Sequence, residues 1–577
     1  MRTSRNDPPN RHSTPRTPLF ALQISRGESR ASAAGGSAPQ PGPLPMTPFA
    51  TLLERLAFTP ARNAKLRLIG DYLAHTPDPD RGWALAALTG GLKLRTVTPS
   101  LLRALAEDRV DADLFALSYD SVGDLAETIA LIWPAPDQGA DISLTQVVTT
   151  LQTTKKPDLP ALIAGWLDTL GPSERYALLK LATRGLRVGV SARLTHVALA
   201  QHAGAGGPPA DRIGEVWHGL APPYPGLFDW LAGGPEPQTQ ARAPFRPVML
   251  AHPADAEALA PLNPADFAAE WKWDGVRVQA VAEGGGRHLY TRRGEDISAA
   301  FPDMVAALDF EGVIDGELLV RQGDATAPFG ELQKRLNRKT VTKAMLASHP
   351  AHLRAYDLLH WQGRDLRPLP LTERRAALET AVAQIANPRI DLSPPVPFTD
   401  WAALDAIRAN PPDAVIEGVM IKRHDSPYLP GRPKGPWFKW KRDPMVVDAV
   451  MLYAQRGHGK RSGYYSDFTF GVWDGAALVP VGKAYFGFTD AELRALDRFV
   501  RHNTTDRFGP VRQVKPDLVL EVAFEGLNAS PRHKSGLAMR FPRIRRIRWD
   551  KPAAEADRID TLRAMLPADP LTSARGG

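Results

Sequence analysis

The sequence predicts a multidomain α+β protein with an all-helical N-terminal block, a mixed α/β block and a small C-terminal β domain. Two observations carry that reading. Apolar residues keep three-and-four spacing up to about residue 231, and short β-like runs take over from about residue 270. Between them lies AGGPEPQTQARA at 232–243, a linker-like stretch without apolar period. The expected division is a tail over 1–45, a helical domain over 46–231, the linker over 232–243, a mixed domain over 244–445, a β domain over 446–565 and a second tail over 566–577.

Residues 1–45 are rich in Pro, Ser, Arg and Gly and lack periodicity, so both they and 566–577 are expected to be disordered. The first tail has no apolar core of the kind a secretory signal carries, although its Arg-rich, acid-poor composition is compatible with a transit-like segment. Met46 opens MTPFATLLERLAF as a natural start would, which makes the tail an over-extended start or a dispensable arm. In the helical block Phe49, Leu52, Leu53, Leu56 and Ala57 fall on one face, and similar stretches recur at 99–106, 122–132 and 174–182. HTPDPDRG and GAGGPP punctuate them.

Further on, VRVQAVAEGGGRHLYTRRG reads as two strands joined through Gly284, Gly285 and Gly286, a hairpin turn rather than a phosphate cradle. EGVIDGELLV, LRAYDLL and EGVMIK read as further strands, and VVDAVMLYAQ, YYSDFTFGVW and DLVLEVAFEG as the C-terminal β domain.

A chain of 577 residues with 43% apolar content is long enough for three or four well-cored domains. No apolar run is long enough to cross a bilayer, so no membrane association is expected. The absence of cysteine removes disulfides, thiolate metal sites and thiol catalysis, and it fits a reducing, cytoplasmic setting. The net charge is +8, but residues 421–551 hold 25 Lys and Arg against 13 Asp and Glu, and 1–45 add six Arg against two acids. One C-terminal segment is thus strongly basic, which suits a surface that follows phosphates and equally suits a solvated basic face.

The sharpest chemical feature is Lys272-Trp273-Asp274-Gly275-Val276-Arg277, placed where a strand is about to begin. A lysine amine attacks phosphorus only when deprotonated, and burial with nearby cations such as Arg277 and Arg292 would lower its pKa. Alone, K-x-D-G is a weak signal. Here it is followed in order by Thr291-Arg292-Arg293-Gly294, Asp315-Gly316-Glu317, Tyr356-Asp357, Glu417-Gly418-Val419-Met420-Ile421-Lys422 and Trp437-Phe438-Lys439-Trp440-Lys441. This series resembles the motifs of the covalent nucleotidyltransferases, and specifically of the ATP-dependent DNA ligases. PFGELQKRLNRK, PLPLTERRAAL, GKAYFGFTD and SGLAMRFPRIRRIRWDK extend the resemblance, and LLKLATRGLRVGVSARL resembles the signature of the family's helical domain.

The resemblance implies a helical DNA-binding domain, an adenylation domain and a C-terminal OB-fold barrel. It implies ATP as co-substrate, Mg2+ as metal, and nicked double-stranded DNA as partner of a monomeric, cytoplasmic or nucleoid-associated enzyme. Lys272 would be the nucleophile that becomes lysyl-AMP. Glu270 would read the adenine amino group, and its i, i+2 spacing from Lys272 puts both on one face of a strand. Arg277 and Arg292 would hold ribose and phosphate oxygens, with Arg293 competing for the second role. Glu317 would hold ribose or a metal-bound water, Glu417 would be the second metal-proximal carboxylate, and Tyr356 would stack on adenine. Lys439 and Lys441, two apart, would converge on the α-phosphate. Arg432 or Lys434 would supply a further phosphate contact. Arg548, Asp550 and Lys551 match the family's final motif on the C-terminal domain, which in such ligases swings onto the pocket.

Competing readings are an RNA ligase, which would usually lack the helical block, and a capping guanylyltransferase, which would prefer GTP. An NAD-dependent ligase would carry a cysteine zinc module. A catalytically silent DNA-binding scaffold is the alternative from another class, and the intact motif series argues against it.

Overall fold

The computed structural model describes residues 45–566 except 95–96, 135–141, 239–241, 324, 337, 339, 458–462 and 532. Both expected tails therefore lie outside the described residues, apart from their innermost positions.

The helical block runs from Thr47–Phe58 to Leu227–Leu231 and encloses one continuous core from Met46 to Leu231. The first helix buries Phe49, Ala50, Leu52, Leu53 and Leu56, the face its spacing predicts, and each such leucine contributes about 1.5–3 kcal/mol. The stretches expected at 99–106 and 174–182 lie in the helices Pro99–Arg109 and Pro172–Ala182. That expected at 122–132 is broken. Ala112–Val122 ends at Gly123 in the left-handed region, and Asp124 then caps Leu125–Ile132 by accepting from the Glu127 N–H.

The middle of the chain forms two sheets. β1 (His252–Pro253), β2 (Phe267–Trp273), β10 (Ile416–Arg423) and β11 (Trp437–Lys441) make a four-stranded sheet in the order β1-β11-β10-β2. β3 (Val276–Glu283), β4 (Gly286–Thr291), β5 (Gly312–Gln322), β7 (Ala351–Trp361) and β8 (Arg364–Asp365) run in the order β4-β3-β5-β7-β8. β6 (Ala325–Thr326) adds to β5, and β9 (Ile390–Leu392) to β7. The β3–β4 hairpin turns on Gly284 and Gly285, both at positive φ, as the glycine run predicts.

Alternation decides what each face carries. Phe267, Ala269, Val419, Ile421 and Trp440 of the four-stranded sheet pack into one core, beside the helix Trp401–Ala409. Val278, Ala280, Ile314, Leu318 and Leu353 of the larger sheet pack into another, with the helices Pro302–Ala306 and Leu371–Ile385. Of the residues on the opposite faces, Val281, Tyr290, Val313 and Leu359 close a further small core, while Glu270, Lys272, Arg277 and Glu317 line one cavity.

The C-terminal region is β-rich, with its own core. β12 (Met445–Arg456), β13 (Tyr465–Asp474), β14 (Ala477–Ala484), β15 (Thr504–Phe508), β16 (Val511–Val514), β17 (Val519–Phe524) and β20 (Arg543–Arg548) share a seven-stranded sheet, and β18 (Gly526–Ala529) pairs with β19 (Leu537–Arg540). Among the described residues the sheet's main path β14-β13-β12-β16-β15 has two ends rather than closing on itself. No described helix is long and apolar enough to cross a membrane.

Candidate active site

A cavity of about 800 Å3 lies where the non-core faces of the two middle sheets meet the C-terminal region. Register explains its lining. In β2–β10 Lys272 sits opposite Gly418 and Glu270 opposite Met420. In β10–β11 Gly418 faces Lys441, Met420 faces Lys439 and Lys422 faces Trp437. One side of three strands thereby presents Glu270, Lys272, Met420, Lys422, Lys439 and Lys441. Across the cavity, Arg277 of β3 is paired in register with Glu317 of β5.

Two glycines make this geometry possible. An added Cβ on Gly275 would lie 2.5 Å from the Leu318 carbonyl oxygen and 2.8 Å from Glu317 Cγ, so only glycine lets the turn after Lys272 rest on β5. Gly418 has φ +145° and an added Cβ would lie 2.2 Å from the Trp440 carbonyl oxygen. Beside it, the register slips between Ile416 and Gly418, leaving Glu417 as the extra residue of a bulge. Strict alternation would send Glu417 away from Lys272. The bulge turns it in, and Lys272 Nζ donates to Glu417 Oε2 at 2.5 Å. Tyr356 also occupies a slip, between Ala355 opposite Gly316 and Asp357 opposite Asp315, and its ring lines the cavity.

Electrostatics at Lys272 differ from the expectation of cations lowering its pKa. Burial does lower it, but Glu417, then Glu317 and Asp274, outweigh burial and hold the ammonium above its ordinary value. Burial raises the Glu417 carboxyl, yet Lys272 and Lys441 more than compensate and bring it down to about 2. Glu317 accepts no hydrogen bond among the described residues, and burial pushes its carboxyl up to about 8 against the pull of Lys272 and Arg277.

The remaining charges fall into two sets. Lys422 Nζ donates to Glu270 Oε2 at 2.9 Å, both buried, and lies 4.9 Å from the Tyr356 ring centroid. Arg277 donates to both Asp315 oxygens, to the Met249 carbonyl at 2.7 Å and to the Tyr428 hydroxyl at 3.1 Å, so most of its donors are already engaged. Lys441 pairs with Glu525 and lies 3.4 Å from Glu417. By contrast, the side chains of Arg292, Arg432 and Lys439 line the cavity with no acidic partner among the described residues. Burial and mutual repulsion lower the pKa of Arg292 and of Lys439. Arg293 lines the cavity beside Arg292, whereas Lys434 does not reach it.

Arg548, Asp550 and Lys551 are not brought to the cavity. Arg548 pairs with Asp550 at 2.9 Å, and Lys551 with Asp448 at 2.8 Å. The C-terminal residues that do reach in are Arg540, which pairs with Asp274 and lies 3.7 Å from Glu417, and Phe541, exposed and at φ +52°. Neither Arg540, within SGLAMRFP, nor Lys422, at the end of EGVMIK, has a role that the sequence motifs assign. Lys422 was accessible through its even spacing from Gly418 and Met420. Arg540 carried no local signal.

The chain's likeness to known proteins covers the segments that line this cavity. The model described as ATP dependent DNA ligase domain matches residues 248–441, and that described as ATP dependent DNA ligase C terminal region matches 461–551. A probable DNA ligase of Koribacter versatilis is 31% identical, over 89% of this chain and 95% of its own length. One from Anaeromyxobacter sp. is 32% identical, over 90% and 98%. The solved structure "Pmar-Lig_Pre." shares the fold across 87% of this chain and 99% of its own, with a TM-score of 0.58 at 16% identity. With identity above 30% along nearly whole chains and both family models matched around the cavity, the chain belongs to the ATP-dependent DNA ligase family.

Proposed function

We propose that this DNA ligase stores AMP on Lys272 and uses it to seal nicks in duplex DNA. The observation that carries the reading is the set of unpaired cations, Arg292, Arg432 and Lys439, gathered on the same cavity as the Lys272–Glu417 pair. Unpaired guanidinium and ammonium groups in a half-buried cleft are unfavourable until an anion with several oxygens arrives, and a triphosphate is such an anion. At the other end, the Glu270–Lys422 pair offers one acceptor and one donor to a base edge beside the Tyr356 ring, as adenine requires.

Mg2+ suits the donors present. Glu317 and Glu417 are hard oxygen ligands, and no group of three or more His, Cys, Asp and Glu among the described residues forms a metal cage. That pattern matches an ion held by one or two carboxylates with phosphate oxygens completing its shell. When bound, Mg2+ supplies charge neutralisation on the phosphates. The residues do the rest. Glu417 aligns Lys272 Nζ, which stays an ammonium while the pair stands; as the pair weakens the proton passes to water and leaves the free amine. Lys439 stabilises the charge that develops on the α-phosphate. Lys272 Nζ then bonds to the α-phosphorus and pyrophosphate leaves. AMP passes to the 5′-phosphate of a nick, and the 3′-hydroxyl displaces it.

The helical block over 46–231 is proposed to hold the duplex, and the region over 446–565 to be an OB-fold domain that covers the cavity during the first step. The Arg540–Asp274 contact supports that covering role. Incubation with α-labelled ATP, GTP and NAD, followed by a chase with nicked DNA, tests the reading. Label from ATP alone, absent in Lys272→Ala and chased by sealing, is expected. Label from GTP would move the protein to the capping branch, and no label would leave a DNA-binding scaffold.

A further inference from the structure

The helix Ala210–Trp217 belongs to the helical block, yet its C-terminal end touches the cavity's supports at two points. Glu215 pairs with Arg367, whose carbonyl accepts the Tyr428 N–H at 2.8 Å, and the Tyr428 hydroxyl joins the Arg277–Asp315 pair. The second contact is more direct. His218, the next residue after the helix, donates from Nε2 to the Gly294 carbonyl at 2.9 Å and accepts the Phe245 N–H at Nδ1, 3.4 Å away. These two bonds select one neutral tautomer. The ring stands edge-on to Tyr290, 4.6 Å between centroids, and lies 5.5 Å from the Phe245 ring.

Gly294 closes the turn that carries Arg292 and Arg293. Its N–H bonds to the Thr291 carbonyl at 2.8 Å, and Thr291 in turn bonds to Glu295. The turn lies directly on the histidine, because an added Cβ on Gly294 would sit 3.2 Å from His218 Cδ2. Both arginine side chains lack acidic partners among the described residues, so the turn's backbone, rather than ion pairing, sets where their guanidiniums stand. That backbone is fixed from outside by His218.

We propose that His218 is a positioning residue through which the helical block sets the arginine turn at the nucleotide cavity, so that this block contributes to the lysine adenylation step as well as to holding DNA. The inference rests on the reading of the cavity as the site of lysine adenylation. Without the His218 bond the turn loses its tie to the helical block, and Arg292 and Arg293 meet the triphosphate from a distribution of positions instead of one. The loss falls on ATP capture and not on later chemistry at the nick.

The test uses the full chain. Label uptake from α-labelled ATP is measured against ATP concentration for wild type, His218→Leu and His218→Gln, beside the sealing rate of a nick that already carries a 5′-adenylate. His218→Leu is expected to raise the ATP KM about tenfold, keep the plateau rate within about twofold, and seal the pre-adenylated nick at the wild-type rate. His218→Gln, whose amide N–H can donate to the Gly294 carbonyl, is expected to recover most of the KM. An unchanged KM in His218→Leu overturns the proposal, and so does equal loss in both assays with a matching fall in melting temperature and no rescue by Gln. A wild-type chain that takes no label would instead overturn the adenylation reading on which the proposal stands.

Discussion

Charges around the cavity are arranged so that some are held in pairs and others wait for a ligand. Lys422 and Glu270 are both buried, and the only other cation near Glu270 among the described residues is Arg375, at 3.8 Å. Removing one member of such a pair leaves an uncompensated buried charge, which costs about 3–5 kcal/mol, whereas removing both costs far less. Lys422→Met is therefore expected to destabilise the fold by about that amount in denaturant titrations. Adding Glu270→Gln should restore most of the stability while the ATP KM stays at least about tenfold high. Stability that failed to recover in the double variant would show that the two residues do not act as a pair. At this scale the sequence is informative where alternation holds. Glu270 with Lys272, and Lys439 with Lys441, share a face because they are two apart, and the structure puts all four on the cavity. Arg277 was legible as a cavity residue, but its engagement by Asp315, Met249 and Tyr428 depends on residues far away in sequence.

For strands, the same alternation misleads. Glu417 and Tyr356 reach the cavity because each sits where its strand slips register by one residue, and no period in the sequence marks a bulge. Both were identified only through motifs of the family. Gly418 is the hinge of the first slip. Gly418→Ala would force a methyl against the Trp440 carbonyl in a backbone conformation that L-residues rarely adopt. The expected result is a loss of about 2 kcal/mol or more in unfolding free energy, with lysine labelling down at least about tenfold as Glu417 swings from Lys272. Normal labelling in this variant would mean that Glu417 reaches Lys272 without the bulge. Helix boundaries show the converse. Gly123 and Asp124 interrupt the front of a stretch whose apolar spacing runs over 122–132, and both are ordinary stop and start signals that periodicity alone does not register.

Across the whole molecule, basic charge is concentrated in one C-terminal segment. Arg545 and Arg546 are exposed on β20, within the segment that holds 25 basic against 13 acidic residues. Affinity for nicked duplex is expected to fall by roughly 10³-fold between about 50 and 200 mM salt. Converting Arg545 and Arg546 to Ala should flatten that dependence and leave labelling by ATP unchanged. An unaltered slope would remove β20 from the DNA contact. Placement of the C-terminal region was the least legible feature. Arg540 meets Asp274 across more than two hundred and fifty residues of chain, and the conspicuous Arg548, Asp550 and Lys551 lie elsewhere in this arrangement.

The close approach at Gly275 bears on how the site responds to heat. Because that turn lies directly on β5, the spacing between the strand that carries Lys272 and Glu317 is set by main-chain contact. Side chains change rotamer within nanoseconds as temperature rises, whereas a backbone packed against a hydrogen-bonded strand moves only when the strand itself opens. The spacing of Lys272 from Glu317 therefore has the thermal tolerance of the sheet core. The contacts that join the C-terminal region to the cavity, Arg540 with Asp274 and Lys441 with Glu525, are made by the ends of long, partly exposed side chains, so warming loosens them before it disturbs the spacing of Lys272 from Glu317.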